Sequence, residues 1–368
     1  MYFNMEKFCF IQPKNLKLGI YKQKNCSKFL IDKFSPLLPF DLRWNDIDGH
    51  CLSLIHELYI LLDNNYIEDN YSFLRFNYIH EFIKLAICSP KWELGLNLGL
   101  KFNRSRKING FISSNFRKII VEDTFLLCSE INFLCLHKKL RKKIFVQELI
   151  KEITRRLNCF GIINAIYTTG LTFLKSFLTT SYFYLPLNSM DLCHLYQTPV
   201  EKYSPEKKKL SIKKEAETLK FLKNMKKFFK KKKVYKHFNL EDFIHWIRFI
   251  GGFKFTFLTK SSLLDKKISV MSFYCLPCKT IRSRKPCYFY DAYFYYGIQL
   301  KKNEIFIREI INICKQIGFD MLYILEGSYS NEILLNLNFK QSSSQINFYM
   351  VGNKSEQIVP LENGLIFF

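Results

Sequence analysis

The chain has 368 residues, 48% of them apolar, which is long enough for two ordinary domains and too apolar for a disordered chain. Fifty-six Lys and Arg against 32 Asp and Glu give +24 and point to an acidic partner: nucleic acid, a phosphate-bearing cofactor or an anionic membrane. An excess of Phe, Tyr, Lys, Asn and Ile also fits an A/T-biased genome, which discounts part of that charge, and the 12 cysteines lack the spacing of a disulfide framework.

In chain order, residues 1 to 40 read as irregular, with Pro13, Pro36 and Pro39 marking extended segments. The N-terminus MYFNMEKFCF is short and mixed, unlike a secretory signal, so reduced thiols and a cytoplasmic protein are expected. Leu52 to Asn64 has helical spacing, with Asp46 and Asp48 suited to its N-terminal end. Gly110 to Val121 and Phe125 to Leu136 read as neighbouring strands. Val146, Leu149, Ile150, Ile153 and Leu157 then recur at helical spacing, leaving Glu148, Lys151, Glu152, Arg155 and Arg156 on the other face. Ile162 to Thr168 is a third short strand. Gly170 to Leu187 is the most apolar stretch, but Lys175, its hydroxyl residues and Pro186 argue against a membrane span.

Residues 204 to 237, SPEKKKLSIKKEAETLKFLKNMKKFFKKKKVYKH, break the texture. Leu219, Leu222, Met225 and Phe229 can share one helical face, with lysines around the rest. A solvated helix is the first expectation, and contact with RNA, ribosome or membrane surface stays open. Lys267 to Tyr274 and Asp291 to Leu300 follow as strands, then a helix from Asn303 to Ile317 that Gly318 ends. Strand, strand, helix, strand thus occurs twice. The pattern predicts an α/β fold with a duplicated unit and a site between the halves. Cys275 and Cys278 form a CxxC with no fourth ligand at zinc spacing, so no metal is expected.

The most informative stretch is EINFLCLHKKLRKKI, residues 130 to 144. An apolar strand that ends in a basic turn and feeds a helix builds an anion cradle from free N–H groups, the helix dipole and nearby cations. Asn132 stands polar among apolar neighbours in that strand. The arrangement suits coenzyme A, with its pyrophosphate on the turn and a thioester beside Phe133 and Leu134, whose N–H groups could face a developing oxyanion. No GxSxG, P-loop or GxGxxG occurs.

Glu130 to Lys138 matches the pattern Glu-Ile-Asn-Phe-Leu-Cys-x-His-Lys, and the chain closely resembles the glycylpeptide N-tetradecanoyltransferases, the N-myristoyltransferases. KFCFIQP at 7–13, LPFDLRWNDID, ELYILLDNNYIED, FNYIHEFIKLA, SRKINGFIS, YTTG, MSFYCLP and DAYFYYG resemble further family segments in the same order, and Gly318 to Phe368 runs alongside to the last residue. The resemblance implies two acetyltransferase-like (GNAT-like) halves related by a pseudo-twofold around a mixed sheet. Residues 1–187 would bind acyl-CoA and 188–368, with the 204–237 segment, most of the peptide. It implies myristoyl-CoA as co-substrate, no prosthetic group, and acceptor proteins or nascent chains with an N-terminal glycine. A monomer is expected.

By the same resemblance, Lys7, Phe8 and Cys9 form the acyl-CoA-binding N-terminal segment. Phe133 and Leu134 supply the oxyanion-hole amides, and Cys135 and Leu136 with Arg141, Lys142, Lys143, Ile144, Phe145 and Val146 hold the pantetheine and phosphates. Asn132 and Thr168 hold the glycine amine, and the terminal carboxylate of Phe368 is the base. Tyr66, Asp69, Phe76, Tyr78, Gly170, Tyr182, Ser272 and Tyr293 line the peptide groove. Cys135 is expected to act through its backbone and His137 as a turn residue.

Several positions depart from the family. Its Trp and Asp near the start are Cys9 and Phe10, the Ser and Arg of its phosphate turn are Lys142 and Ile144, and a family acid is Tyr71. Its second signature, Lys-Phe-Gly-x-Gly-Asp-Gly, is here Asn338 to Ser344, with Ser343 in place of the Asp. A weaker preference for basic residues later in the peptide is expected. The alternatives are an acyltransferase of different chain length, or an RNA- or ribosome-binding protein that has lost catalysis. The family's lysine-rich N-terminal extension is expected to be missing, and 204–237 is the candidate for its ribosome-docking role.

Overall fold

The computed structural model describes residues 38, 41–66, 74–141, 144–171, 175–187, 215–247, 253–260, 268–281, 287–298, 303–352 and 356–367. The first part of the chain forms Leu42–Asp46 (β1), Leu52–Asn65 (α1), Leu74–Phe76 (β2), His80–Ile87 (α2), Asn97–Phe102 (β3), Ile108–Val121 (β4), Thr124–Leu136 (β5), Phe145–Cys159 (α3), Ala165–Thr169 (β6) and Leu178–Pro186 (β7). Glu215–Phe229 (α4), Val234–Lys236 (β8), Leu240–Ile247 (α5), Lys254–Lys260 (β9), Ile268–Thr280 (β10) and Tyr288–Ile298 (β11) follow. Asn303–Ile317 (α6), Met321–Leu325 (β12), Asn331–Asn336 (α7), Lys340–Val351 (β13) and Asn363–Gly364 (β14) complete the chain.

One mixed sheet runs β1-β3-β4-β5-β6-β13-β7-β12-β11-β10-β2, with β8 beside β4 and β9 beside β10. The expected unit occurs twice. The β4–β5 hairpin leads through α3 to β6, parallel to β5, and the β10–β11 hairpin leads through α6 to β12, parallel to β11. β13 lies antiparallel to β6 on one side and to β7 on the other, so a strand from the end of the chain joins the two units.

α3 seats Phe145, Leu149, Ile153 and Leu157 on a cluster with Leu98, Leu100 and Ile112, covering one face of the sheet. Glu148 and Glu152 were expected on the outer face, yet both are buried. Arg155 and Arg156 hydrogen-bond to Glu152 at 2.7–2.9 Å, so its charge is compensated where it lies. Arg156 also binds Asp46, which ends β1 and is not a helix-capping residue. α1 starts at Cys51 with no side-chain cap, and Asp48 instead accepts from the His50 N–H. Gly318 takes φ +88 and closes α6 through its N–H to Cys314, as its position predicts.

In the lysine-rich run, α4 buries Leu222, Met225 and Phe229 as expected. The solvated reading fails just beyond it: Lys236, on β8, is 5% exposed. Residues 204–214 and the side chain of Leu219 lie outside the described part. Among the described residues no helix is long and apolar enough to cross a membrane.

Candidate active site

β5 and β6 are paired only at Ser129–Ala165 and Glu130–Ile166, although β5 runs on to Leu136 and β6 to Thr169. Past Glu130 the facing edges of residues 131–136 and 167–169 are not paired with each other, a slot about 10 Å long on the β6 side at ~3.3 Å per residue. At the same place the β4–β5 ladder shifts: Phe111 pairs with Cys135 but Ser113 pairs with Asn132. Two β5 residues, Phe133 and Leu134, thus occupy the space of one, a β-bulge. Phe133 sits at φ +54, an uncommon conformation for a bulky side chain. A bulge takes backbone groups out of the ladder, and here the Phe133 N–H donates to the Tyr66 hydroxyl.

At the far end of β5 the basic turn is shaped by its own bonds. His137 caps it by accepting from the Lys139 N–H at 3.3 Å. Asn65, the last residue of α1, accepts the Lys138 N–H at 3.0 Å, while its carbonyl receives the Arg141 guanidinium. Arg141 also reaches the Leu136 carbonyl at 3.2 Å, so much of its hydrogen-bonding capacity builds the turn. No side chain caps α3 at Ile144. The start of α3, at Phe145, presents the positive end of the helix dipole, the kind of place that attracts an anion. Burial pushes the Cys135 thiol up to about 12, so it carries no thiolate at neutral pH.

An aromatic wall meets the bulge. The Phe133 ring lies 5.9 Å from Tyr66 and 5.6 Å from Tyr78, and Phe76 joins Tyr78 to Tyr293 at 6.0 and 6.3 Å. Tyr182 touches Tyr293 at 5.6 Å, and Tyr274 and Tyr323 stack on either side of Tyr293 at 5.4 and 4.6 Å. Five of the predicted peptide-groove residues, Tyr66, Phe76, Tyr78, Tyr182 and Tyr293, are thereby brought together. Ser272 is fully buried, held by Thr256 at 3.3 Å and paired with Tyr296. Gly170 is exposed just past the end of β6. On the same face as Tyr293 lies Asp291, 4% exposed, which receives the Cys278 thiol and whose Oδ1 has no hydrogen-bond partner. Burial pushes its carboxyl up to about 7.

Beside the bulge is a buried charged cluster that the sequence reading did not assign. Glu130 receives Arg117 Nε at 2.7 Å, Lys236 Nζ at 3.1 Å and Asn132 Nδ2 at 3.2 Å. The Arg117 guanidinium also stacks over Trp246 at 4.6 Å. Burial alone would raise the Glu130 carboxyl, but the two cations hold it down at about 2. The signal was present: Glu130 and Arg117 interrupt apolar strands just as Asn132 does.

The chain's last described residues come to this cluster. Leu365, Ile366 and Phe367 are buried, as their apolar character predicts. Lys236 Nζ donates to the Ile366 carbonyl at 2.7 Å and sits 4.5 Å over the Phe367 ring. Phe367 packs on Phe348 at 5.4 Å, and Phe348 is the cross-strand partner of Thr168. Asn363 exchanges hydrogen bonds with Leu365 at 2.8 and 2.9 Å, and Gly327, at φ +87, lets the Pro360 carbonyl approach where a side chain could not fit. Asn132, Thr168 and the end of the chain thus share one face of the sheet. Lys7, Phe8, Cys9, Asp69, Lys142, Lys143 and Phe368 lie outside the described residues, and among the described residues no cluster of His, Cys, Asp and Glu could hold a metal ion.

The chain is similar to known families and proteins over most of its length. Residues 21–180 match the model "Myristoyl-CoA:protein N-myristoyltransferase, N-terminal domain", and 186–362 match the C-terminal domain model of the same family. The chain is 28% identical over 348 residues to glycylpeptide N-tetradecanoyltransferase 1 of Arabidopsis thaliana, covering 89% of this chain and 80% of that protein. It is 29% identical over 325 residues to the glycylpeptide N-tetradecanoyltransferase of Plasmodium falciparum, covering 84% and 79%. A crystal structure of Saccharomyces cerevisiae N-myristoyltransferase with bound myristoyl-CoA superposes with a TM-score of 0.77 at 26% identity, over 89% of this chain and 83% of that one.

Proposed function

The chain belongs to the myristoyl-CoA:protein N-myristoyltransferase family, and we propose that it carries out that family's reaction by direct transfer, with its own C-terminal carboxylate as the base. It is an acyltransferase that uses myristoyl-CoA as co-substrate and has a GNAT-like mixed α/β fold. In this reading residues 1–187 hold the acyl-CoA and 188–368 hold most of the peptide, and the acceptors are cytoplasmic chains that begin with glycine.

An α-amine has a pKa of ~7.7–8, so most of it is protonated and inert at neutral pH. A carboxylate in water, at ~3.3–3.7, is a weak base toward it, and burial strengthens it. In the proposed step the Phe368 carboxylate takes a proton from the glycine ammonium while Asn132 and Thr168 hold the nitrogen. The freed lone pair attacks the thioester carbonyl, and the oxyanion forms against the N–H groups of Phe133 and Leu134. Collapse breaks the C–S bond, the second amine proton passes to the expelled sulfur so that coenzyme A leaves as its thiol, and the Phe368 carboxyl returns its proton to water. Cys135 stays out of the chemistry. Each buried methylene is worth ~0.8 kcal/mol, so a closed acyl pocket can reject shorter chains.

The observation that most supports this reading is the course of residues 363–367, which carry the chain's end onto the face that holds Asn132 and Thr168. Incubation with clickable myristoyl-CoA and a Gly-start octapeptide should label the peptide, and its Ala-start control should stay unlabelled. Labelling of neither peptide would refute the activity. Adding residues after Phe368 converts its carboxylate into an amide; undiminished turnover by that enzyme would remove the base.

A further inference from the structure

We propose that the buried pair Glu130–Lys236 is a positioning device that fixes, from one carboxylate, both the amide of Asn132 and the C-terminal segment. The catalytic part of this inference rests on the base assignment just made; the tethering part does not.

Glu130 is fully buried and shares its two oxygens among Arg117, Lys236 and Asn132. Lys236, 5% exposed, divides its ammonium between Glu130, the Ile366 carbonyl and the Phe367 ring. Burying two charges is expensive, and an apolar pair of similar volume often leaves a protein equally stable or more so. Stability alone is therefore a poor reason for this pair, whereas orientation is a good one. A carboxylate accepts only from the Nδ2 end of an asparagine amide. The bond to Glu130 thus fixes which way the Asn132 amide faces and leaves Oδ1 as an acceptor for an incoming ammonium. The same carboxylate anchors Lys236, whose remaining donor capacity grips the chain two residues before its end. Arg117, pinned against Trp246, holds Glu130 from the other side. The amine's acceptor and the segment bearing the base are each one contact from Glu130 or its partner Lys236.

Lys236→Met keeps the packing stem and removes the charge, and Glu130→Gln keeps the shape and weakens both arms. A displacement of ~1 Å in a reacting group can cost about 100-fold. Lys236→Met is therefore expected to lower kcat about 100-fold while KM for peptide and Kd for myristoyl-CoA stay within about threefold. Carboxypeptidase should release the terminal phenylalanines at least about tenfold faster than from the wild type, which reads the tether without any turnover. Glu130→Gln should show the same split in kcat with a smaller change in carboxypeptidase release, and Lys236→Arg should recover part of both. Unchanged kcat and unchanged release in Lys236→Met overturn the inference, as does a loss of kcat that simply follows lost melting temperature and lost myristoyl-CoA binding. If Lys236→Met does not fold, the isosteric Glu130→Gln decides by the same measures. If extending the chain past Phe368 leaves turnover intact, the base assignment fails by itself, and the tether is judged on carboxypeptidase release.

Discussion

The two halves repeat one plan and use it oppositely. In the first, β5 and β6 part beyond Glu130 and leave a slot that leads to a basic turn and the uncapped start of α3. In the second, β11 and β12 are paired from Asp291–Met321 to Tyr293–Tyr323, and beyond that point the C-terminal segment lines the space beside them. Asn363 to Ile366 line a small cavity together with Phe294 to Gly297 and Leu325, the Tyr296 hydroxyl donates to the Gly364 carbonyl at 3.5 Å, and Tyr329 packs on Phe294 at 5.7 Å. One unit leaves the space beside its parallel pair open, and the other lines it with the tail. Each half also buries an acid within its parallel pair, Glu130 opposite Ile166 and Asp291 opposite Met321. Glu130 meets two cations and is held down at about 2, whereas burial pushes Asp291 up to about 7 with only a thiol's hydrogen bond to oppose it. The same backbone plan thus yields a permanent charge on one side and a titratable carboxyl on the other.

The strongest way to break this comparison is to disable the tail. Amidation of the Phe368 carboxylate is expected to lower kcat by about 100- to 10,000-fold, the usual range for losing a general base, with peptide KM little changed. Single-turnover assays with a semisynthetic amide would measure it. Next, Leu365→Ala removes part of the tail's packing; Leu365 is fully buried, so a loss of about 2–5 kcal/mol in urea unfolding is expected, together with lower kcat.

Asp291→Asn tests the uncompensated acid. Its folded pKa is raised above its unfolded one, so the native state binds the extra proton and the residue costs stability progressively as pH rises from about 4 to about 7. The variant should unfold like the wild type near pH 4 and be more stable at pH 8, by up to about 4 kcal/mol at ~1.4 kcal/mol per pH unit. Glu130→Gln should behave in the opposite sense. Its depressed pKa gives stability that is present above the unfolded carboxylate range and is lost as pH falls toward about 2. Melting curves across pH would separate the two. The smallest effect is expected at the turn: since Arg141 spends hydrogen bonds on Leu136 and Asn65, Arg141→Lys should weaken myristoyl-CoA binding only about two- to fivefold, more at low salt than at high.

What could be read in advance follows from the range of the forces involved. Period-two and period-3.6 patterns made β4, β5, α3 and α6 legible, and Gly318 marked a stop because only a left-handed residue fits there. Asn132 drew notice as a polar residue within an apolar strand. Patterns confined to a window could not show that β13 inserts between β6 and β7, nor that Phe76, Tyr182 and Tyr293 meet across three strands. Glu152 and Lys236 were misread for one reason: a charge was assigned to water when its partner was not visible. For Glu152 the partners stood three and four residues away, and helical spacing alone could have revealed them. For Lys236 the partner was Glu130, more than 100 residues earlier.

The insertion of β13 also governs how the molecule comes apart. A fragment ending near Pro186 would leave the flank of Ala165–Thr169 bare, a row of unmet amides and carbonyls that invites addition by any passing extended chain. Such a fragment should precipitate, and the intact protein should melt in a single cooperative transition, because no cut between the repeats spares a hydrogen-bonded ladder.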